Sequence, residues 1–354
     1  MLLDNKRVLI TGGTGSLGQS LVRRLLTGEL GQAASITVFS RDEAKQHYMR
    51  LKYMHRTAAT DEIIYENSQQ LLKFRIGDIR DYPSVVQAVK QADVVFHTAA
   101  LKQVPICEYY PFEAVQTNVV GPQNLVRAIK ENTTSVEAVI GISTDKACKP
   151  VNVMGMTKAL QERVLIQANL ECPDTRFMCV RYGNVISSRG SVIPLFLDQL
   201  NKDLDITITH EQMTRFLISL DSAVDTVFSA LRLGNRGETF VPTVPAARVV
   251  DIAETLAQSQ GKSMTVKFTG VRPGEKLHEI LVSEEERHRT TERGGYYVIC
   301  PVVPELREAE IGNPPLTGEY SSENVTLTQE TLSALLAPHI SEITNDDQLP
   351  DLSS

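Results

Sequence analysis

The sequence predicts an α/β protein with a doubly wound parallel sheet and a second, smaller α/β domain. Short runs rich in β-branched residues alternate with longer amphipathic stretches through the first half of the chain, which is 354 residues long. The short runs are apolar along almost their whole length, as expected of strands that helices cover on both faces. Right-handed crossovers between such strands give the doubly wound, Rossmann-type arrangement.

The individual elements follow in order along the chain. Strands are predicted at residues 7–11, 35–40, 71–76, 93–98, 137–144 and 176–182. Helices are predicted between them, at about 16–26, 43–56, 82–90, 112–131 and 153–169. After Tyr182 the alternation breaks, although a further strand is predicted at 237–242 and a helix at 249–261, which Gly261 ends.

These elements divide the chain into two predicted domains. The Rossmann domain, which we expect to bind NAD(P), comprises residues 1–183 with a returning segment at about 215–245. The smaller, substrate-binding domain comprises 184–214 and 246–345, and residues 346–354 form a flexible tail. Because no segment of distinctive composition separates the domains, we expect them to pack around a shared cleft.

The composition narrows the class of protein. A net charge of −7, spread along the chain, argues against nucleic acid as the main partner. No apolar run reaches the roughly 18 residues of a membrane span, and the N-terminus lacks the layout of a signal peptide. Because the five cysteines form no CxxC pair, we expect reduced thiols in a cytoplasmic protein and no metal site. They are Cys107, Cys148, Cys172, Cys179 and Cys300.

A glycine-rich loop, TGGTGSLG at residues 11–18, follows the first predicted strand and opens the first helix. Its three spaced glycines are typical of loops whose backbone approaches a pyrophosphate. The free N–H groups at the helix N-terminus then face the phosphates. The loop therefore predicts a bound dinucleotide. The predicted contacts are Thr11, Gly12, Thr14, Gly15, Ser16, Leu17 and Gly18.

The residues after the second strand distinguish NADP from NAD. A carboxylate there binds the ribose 2′-hydroxyl, whereas a cation accommodates a 2′-phosphate. Ser40 and Arg41 favour NADP, whereas Asp42 favours NAD, which stays the alternative. The predicted contacts at this end of the cofactor are Ser40, Arg41, Lys45, Asp78 and Ile79.

A resemblance to a known family is carried by motifs that occur in order: TGGTGSLG, GDIRD, HTAALKQVP, TNVVGPQNLV and STDKACKPVNVMGMTKA. RYGNVISSRGSVIPLF, MTRFLISLDSAVD and RPGEKLHE extend it to about residue 290. Together they resemble the extended short-chain dehydrogenases/reductases. Within that group they are most similar to the UDP-N-acetylglucosamine 4,6-dehydratases of surface-polysaccharide synthesis. Without a spanning segment, the chain resembles the soluble short forms, which include a capsule-type group that inverts the sugar at C5.

The resemblance implies an NADP-dependent lyase that makes a UDP-4-keto-6-deoxy-N-acetylhexosamine. Hydride leaves C4 of the sugar for the nicotinamide, water is eliminated across C5 and C6, and hydride returns to C6 as C5 is reprotonated. Two alternatives stay open. One is a UDP-sugar C4 epimerase that shares the first hydride step, and the other is a catalytically silent cofactor-binding protein.

One position departs from the usual pattern of nicotinamide enzymes with this motif. Met154 stands four residues before Lys158, where a tyrosine is expected, and methionine has no ionisable proton. Some dehydratases of this family, capsule-type ones included, likewise carry methionine here. We expect Met154 to pack near the nicotinamide or the sugar. The resemblance implies that Lys158 bonds the nicotinamide ribose.

The proton chemistry is expected at Thr144, Asp145 and Lys146, at the end of a predicted parallel strand. A carboxyl and an amine side by side suit the acid and the base that elimination needs. The resemblance implies that Asp145 is the acid and Lys146 the base, and Thr144 could hydrogen-bond the C4 oxyanion. The C4-hydroxyl proton could leave through Asp145, Lys146 or a water held by Thr144.

Further contacts are implied by the resemblance. On the cofactor side they are Ala99, Ala100, Lys102 and Asn118. For the UDP-sugar they are Lys102, Asn184, Arg189, Ser191, Val192, Arg215, Arg272 and Glu275. His210 could be another contact or an ordinary surface histidine. A homo-oligomer, at least a dimer, is expected on resemblance alone.

Overall fold

The computed structural model describes residues 1–54, 71–132, 134–186, 192–307 and 314–346. Its strands, numbered in chain order, are β1 (Arg7–Thr11), β2 (Ser35–Ser40), β3 (Leu72–Ile76), β4 (Val94–His97), β5 (Ala138–Ile142), β6 (Arg176–Val180), β7 (Asn184–Val185), β8 (Ile206–Ile208), β9 (Thr214–Ile218), β10 (Thr239–Pro242), β11 (Ala246–Arg248), β12 (Val266–Phe268), β13 (Ile280–Val282), β14 (Thr290–Arg293), β15 (Tyr296–Ile299) and β16 (Tyr320–Ser321).

The α-helices in the same residues are α1 (Ser16–Leu26), α2 (Glu43–Met54), α3 (Tyr82–Val89), α4 (Val104–Tyr109), α5 (Pro111–Val115), α6 (Gly121–Glu131), α7 (Val153–Glu171), α8 (Val192–Asn201), α9 (Leu220–Leu233), α10 (Val249–Ser259), α11 (Glu284–Arg287) and α12 (Gln329–Asp346). A π-helical turn spans Gln116–Val120, and 3₁₀ turns span Asp145–Ala147 and Pro304–Leu306. None of the helices in these described ranges is both long and apolar enough to cross a membrane.

The large sheet has the order β14-β15-β10-β6-β5-β4-β1-β2-β3. The seven strands from β10 to β3 pair in parallel. This strand order and pairing confirm the predicted α/β fold with a doubly wound sheet. The order reverses between β1 and β4, and ligands of such sheets bind in the crevice beyond the carboxyl ends of the strands at this point.

The hairpin β14–β15 was not predicted, and it extends the large sheet antiparallel to β10. Gly294 and Gly295 form its two-residue turn with φ of +61° and +82°, the backbone that a tight hairpin turn requires. The hairpin thus pairs with the large sheet, although its residues lie within the 246–345 range predicted for the smaller domain. Strand β10 would otherwise end the sheet with unpaired backbone groups, and the hairpin satisfies them.

Alternate residues of the strands pack on opposite faces of the sheet. Val8 and Ile10 of β1 pack with α1 and α9 in one core. Leu9, which lies between them, packs in a second core with Leu125 of α6 and Leu165 of α7. This burial on both faces explains why the strands are apolar along almost their whole length.

A third core lies in the second part of the chain. Phe196 of α8, Ile252 and Leu256 of α10, and Leu332 of α12 pack together beside β8 and β9. The smaller sheets β11-β9-β7 and β12-β8 belong to this part. Residues 347–354 of the predicted tail, and residues 55–56 of the predicted second helix, lie outside the described residues.

Candidate active site

The glycine loop lies at the carboxyl end of β1, in the crevice between β1 and β4. Gly12 has φ of +69°, and a Cβ added there would lie 2.7 Å from the Cα and N atoms of Ala99. A Cβ on Gly18 would lie 2.5 Å from the Cα of Gly13. Helix α1 begins at Ser16, and its N-cap residue, Gly15, has no side chain that could cap the helix. The first N–H groups of α1 are thus free of a capping side chain, and this cradle fits a pyrophosphate.

The end of the crevice predicted to hold the adenosine ribose presents both signs of charge. Arg41 is half exposed, and its Nη1 lies 3.6 Å from Oδ2 of Asp78. The Lys45 Nζ lies 2.8 Å from Oδ2 of Asp42. Burial would raise the pKa of Asp78, but hydrogen bonds from Arg80 outweigh burial and lower it. Each cation that favours NADP therefore has a carboxylate as its neighbour.

Asn118 occupies the π-helical turn that interrupts the predicted helix at 112–131. Its side chain is fully buried, and it uses its amide within the protein. Oδ1 accepts from the Leu101 N–H at 2.8 Å, and Nδ2 donates to the carbonyl of Leu101 at 2.9 Å and to Oγ1 of Thr157 at 3.1 Å. Asn118 thus fixes the segment of Ala99 and Ala100 against α7, while Lys102 lies at the surface.

Lys158 is buried in α7 and bound to the end of β5. Its Nζ donates to the carbonyl of Ile142 at 2.5 Å and to Oε1 of Gln161 at 2.6 Å. Burial lowers the pKa of Lys158 to about 8. His97, which sequence reasoning missed, lies with its Nδ1 2.8 Å from Oγ1 of Thr11. Burial, with the charge of Lys158, lowers the pKa of His97 to about 3, so this imidazole is neutral at ordinary pH.

The structure brings Thr144, Asp145 and Lys146 together in and beside the 3₁₀ turn after β5. Thr144 Oγ1 donates to Oδ1 of Asp145 at 2.7 Å, and Lys146 Nζ donates to the same oxygen at 3.1 Å. Asp145 is fully buried, and its Oδ2 is without a hydrogen-bond partner. A Cβ on Gly155 would lie 2.2 Å from the Lys146 carbonyl oxygen, so only glycine lets α7 pack this closely on the turn.

The Met154 side chain lies in apolar surroundings. It is buried in a small apolar cluster with Cys107 and Ala114, against Leu101 and Val104. The side chain at this position therefore supplies no hydroxyl group.

Glu279 is a second site residue that sequence reasoning missed, although RPGEKLHE ends on it. Its Oε1 lies 3.3 Å from Lys146 Nζ, and the side chain is almost fully buried. Burial would lower the pKa of Lys146, but Asp145 and Glu279 outweigh burial and raise it. Lys146 is therefore an ammonium group in the free protein, whereas a base must first lose this proton.

Residues predicted to contact the UDP-sugar differ in their surroundings. Arg215 is buried, and its Nη1 donates to the carbonyls of Thr214 at 2.8 Å and of Lys276 and Leu277 at 3.2 Å. This guanidinium braces the RPGEKLHE segment, so it is not fully available to a diphosphate. Arg272 is exposed, with Nη1 3.9 Å from Oε1 of Glu275.

The remaining predicted contacts are placed as follows. Asn184 Oδ1 and Glu275 Oε2 are buried without a partner, which leaves acceptors for a ligand. Val192 begins α8, and Nδ1 of His210 accepts from the Gln212 N–H at 3.1 Å. Two predicted contacts lie outside the described residues: Arg189 and Ser191.

A second group of buried charges lies behind the site. Arg181, just after β6, pairs with Glu162 of α7 and Glu286 of α11, with 2.7 Å between the closest atoms of each pair. Arg181 Nη1 also donates to the carbonyl of Leu281 at 2.9 Å, and Ser143 Oγ donates to Glu162. This group joins α7 to the segment that follows β13.

Comparisons with known proteins found a matching family model and similar named proteins. A family model described as polysaccharide biosynthesis protein matches residues 8–301. The chain is 44% identical over 302 residues to a Rickettsia felis protein named UDP-glucose 4-epimerase, with 84% of each chain covered. It is 45% identical over 302 residues to a Rickettsia prowazekii protein of the same name, again with 84% of each covered.

Solved structures with a similar fold were also found. The chain has a TM-score of 0.84 and 32% identity to the structure of Pen from Bacillus thuringiensis, which covers 96% of this chain and 99% of that one. It has a TM-score of 0.65 and 21% identity to DesIV, a dTDP-glucose 4,6-dehydratase from Streptomyces venezuelae determined with NAD and TYD bound. That comparison covers 77% of this chain and 86% of DesIV, and at such identity it shows the fold alone.

Proposed function

The chain belongs to the polysaccharide biosynthesis protein family, among the nucleotide-sugar dehydratases and epimerases of the extended short-chain dehydrogenase/reductase fold, and on that premise we propose that it is a 4,6-dehydratase. The proposed substrate is UDP-N-acetylglucosamine or a related UDP-sugar. The proposed cofactor is NADP, with NAD as the alternative, and inversion at C5 is part of the proposal.

One observation carries this choice of reaction. Asp145 and Lys146 form a partly buried ion pair, 3.1 Å between Oδ1 and Nζ, directly beside Thr144 at the carboxyl end of β5. Elimination across C5 and C6 needs an acid for the departing hydroxyl and a base for the C5 proton. Epimerisation at C4 needs neither group. An acid–base pair in this crevice therefore favours dehydration.

The glycine loop at residues 11–18 would hold a nicotinamide dinucleotide, which would supply the hydride chemistry of the reaction. The protein supplies the proton chemistry. Transfer of one proton from Lys146 Nζ to Asp145 would give a neutral carboxylic acid for the leaving hydroxyl and a neutral amine for the C5 proton. The Thr144 hydroxyl would then be released from Asp145 and could donate to the C4 oxygen. Because Met154 has no ionisable proton and the amine is needed for C5, the C4-hydroxyl proton would leave to solvent through a water held by Thr144. Lys146 would return its proton to C5, and one proton from solvent would then restore the starting state of the pair.

The second candidate is a UDP-sugar C4 epimerase. It is favoured by the relatives from Rickettsia that carry the name UDP-glucose 4-epimerase and are 44–45% identical to this chain. In that case Asp145 and Lys146 would hold the sugar without exchanging protons with C5.

Incubation in deuterated water separates the two candidates. The protein is supplied with NADP or NAD and with either UDP-N-acetylglucosamine or UDP-glucose, and the sugar is followed by proton NMR. A 4-keto-6-deoxy product with deuterium at C5 is expected, and its coupling constants report the C5 configuration. A C4 epimer without deuterium at C5 would support the second candidate. Unchanged sugars would contradict both.

Association of the chain with itself also stays a proposal. Tyr109 of α4, Phe112 of α5 and the intervening Tyr110 are exposed side by side, and such aromatic groups are common in interfaces. Light scattering during size-exclusion chromatography is expected to give at least twice the chain mass of 39.2 kDa.

A further inference from the structure

Glu279 is a buried carboxylate that faces three cations. Oε1 lies 3.3 Å from Lys146 Nζ and 3.9 Å from Nε of Arg215, and Oε2 lies 3.9 Å from Nζ of Lys276. Only 2% of Glu279 is exposed. Its Oε2 is a buried atom without a hydrogen-bond partner. A buried carboxylate with an unbonded oxygen costs free energy that only its neighbouring cations can offset here.

The backbone of Glu279 is held firmly from a distant part of the chain. Its N–H donates to Oγ of Ser322 at 2.9 Å, and its carbonyl accepts from the Ser322 N–H at 2.9 Å. The same Ser322 hydroxyl lies 2.7 Å from Oγ1 of Thr214, next to Arg215. Strand β13, which follows directly, packs beside the 3₁₀ turn that carries Lys146. The carboxylate is thus placed by structure that does not depend on Lys146.

We propose that Glu279 is a positioning residue, which holds the Lys146 amine beside Asp145 and keeps that amine charged until a ligand enters the site. The proposal rests on the proposed function only in treating Lys146 as a group of the reacting site. Glu279 itself touches neither the sugar nor the cofactor in this role.

The balance of charge around Lys146 supports this role. Nζ lies between two carboxylates, at 3.1 Å from Asp145 and 3.3 Å from Glu279, and Arg215 is the cation that faces it. Lys276 faces Glu279 from the other side. Without the charge of Glu279, Lys146 would keep one carboxylate against these cations in a buried setting. Its ammonium form would then lose stabilisation, and the amine would release its proton at lower pH.

The direct test is the titration of Lys146 in the whole protein. Lysine side chains are isotope-labelled, their NMR signals are followed against pH, and the Lys146 signal is identified by its loss in Lys146→Arg. We expect Glu279→Gln to lower the pKa of Lys146 by about one unit or more, the size expected for a close opposite charge. Glu323→Gln is the matched control, because it removes the same charge at an exposed position, and there the titration is expected to stay unchanged.

A second variant covers the case in which Glu279→Gln does not fold. Glu279→Asp keeps the charge but withdraws it from Nζ, so we expect a smaller fall of the same sign. An unchanged Lys146 titration in a folded Gln or Asp variant would overturn the inference.

Kinetics then separate this inference from the proposed function. The limb of the kcat/KM–pH profile that follows Lys146 reports the free enzyme, and it is expected to move to lower pH by the same amount in Glu279→Gln. A limb that stays in place would also overturn the inference, even where deuterium at C5 confirms dehydration. A shifted NMR titration together with a C4-epimer product would instead sustain the positioning role and reject the dehydratase.

Discussion

Two groups of buried charge lie close together in this protein, and they differ in how completely their hydrogen bonds are made. In the Arg181 cluster (Arg181, Glu162 and Glu286), all four carboxylate oxygens accept hydrogen bonds from the guanidinium. In the Lys146 cluster (Asp145, Lys146 and Glu279), one oxygen of each carboxylate has no partner. The Lys146 side chain also stays 23% exposed, whereas Arg181 is only 3% exposed.

The difference indicates two uses of buried charge. A network with every group bonded fixes neighbouring elements and has no capacity left for a ligand. A network with unbonded acceptors is less stable than it could be, and unpaired buried polar groups of this kind are common at functional sites. We therefore expect substitutions in the Arg181 cluster to reduce stability and substitutions in the Lys146 cluster to reduce turnover.

The largest effect is expected for Lys146→Ala. Loss of one acid–base group lowers turnover by roughly 10²–10⁴-fold, while cofactor binding stays close to that of the parent. Steady-state kinetics with saturating substrate measures the loss. Lys149→Ala is the matched control, because this lysine lies in the same loop and pairs at the surface with Glu319. Near-normal turnover of Lys146→Ala would remove Lys146 from the chemistry.

Arg181→Ala tests the opposite half of the comparison. It removes the guanidinium that bonds both buried carboxylates and leaves only Arg289 beside Glu286, so the free energy of unfolding should fall by about 3–5 kcal/mol. Urea unfolding measures this change. Lys202→Ala removes a cation from an exposed pair with Asp198 and should cost no more than about 0.5 kcal/mol. Equal losses in the two variants would contradict a structural role for the Arg181 cluster.

Met154→Ala separates packing from proton transfer within the site. The cavity should lower the free energy of unfolding by about 2–5 kcal/mol, whereas Met154→Leu should lower it by less than about 1.5 kcal/mol. Both variants should keep measurable turnover at temperatures where they are folded, because no proton is lost with the methionine. Complete loss of turnover in a folded, cofactor-binding variant would reveal a role beyond packing.

The smallest effect is expected in how the free energy of unfolding depends on pH. Burial would raise the pKa of Glu286, but Arg181 outweighs burial and lowers the pKa from its ordinary 4.5 to about 2. The ionised form therefore stabilises the fold above pH 4.5, and this contribution is lost as the pH falls from about 4.5 towards 2. It should amount to roughly 1–3 kcal/mol. Urea unfolding at several pH values should show a shallower acid loss in Glu286→Gln, and equal slopes would contradict the assignment.

Much of the first half was predictable because its signals are local. The glycine loop, the apolar strands and the Thr144–Lys146 segment each combine neighbouring residues, and the bounds predicted for β1 and β2 match the structure. The helix predicted at 112–131 was less accurate. Its apolar pattern continues through the turn around Asn118, so periodicity alone did not reveal the π-helical break.

The contacts that complete the site were not predictable in the same way. Glu279 meets Lys146 only because β13 packs beside the 3₁₀ turn, and no local pattern distinguishes Glu279 from Glu275 in the same motif. Arg215 was expected to bind a diphosphate, yet its guanidinium donates to the backbone of that motif. The hairpin β14–β15 did leave a signal, the paired glycines Gly294 and Gly295 between two short apolar or β-branched runs.

The hairpin β14–β15 also affects how this protein behaves in concentrated solution. Exposed strand edges recruit other chains into continuous sheets, and charged side chains on an edge strand oppose this. Among the described residues, the large sheet ends on β14, which carries Glu292 and Arg293, and on β3, which carries Lys73 and Arg75. Both borders of the sheet thus carry charges that oppose edge-to-edge aggregation.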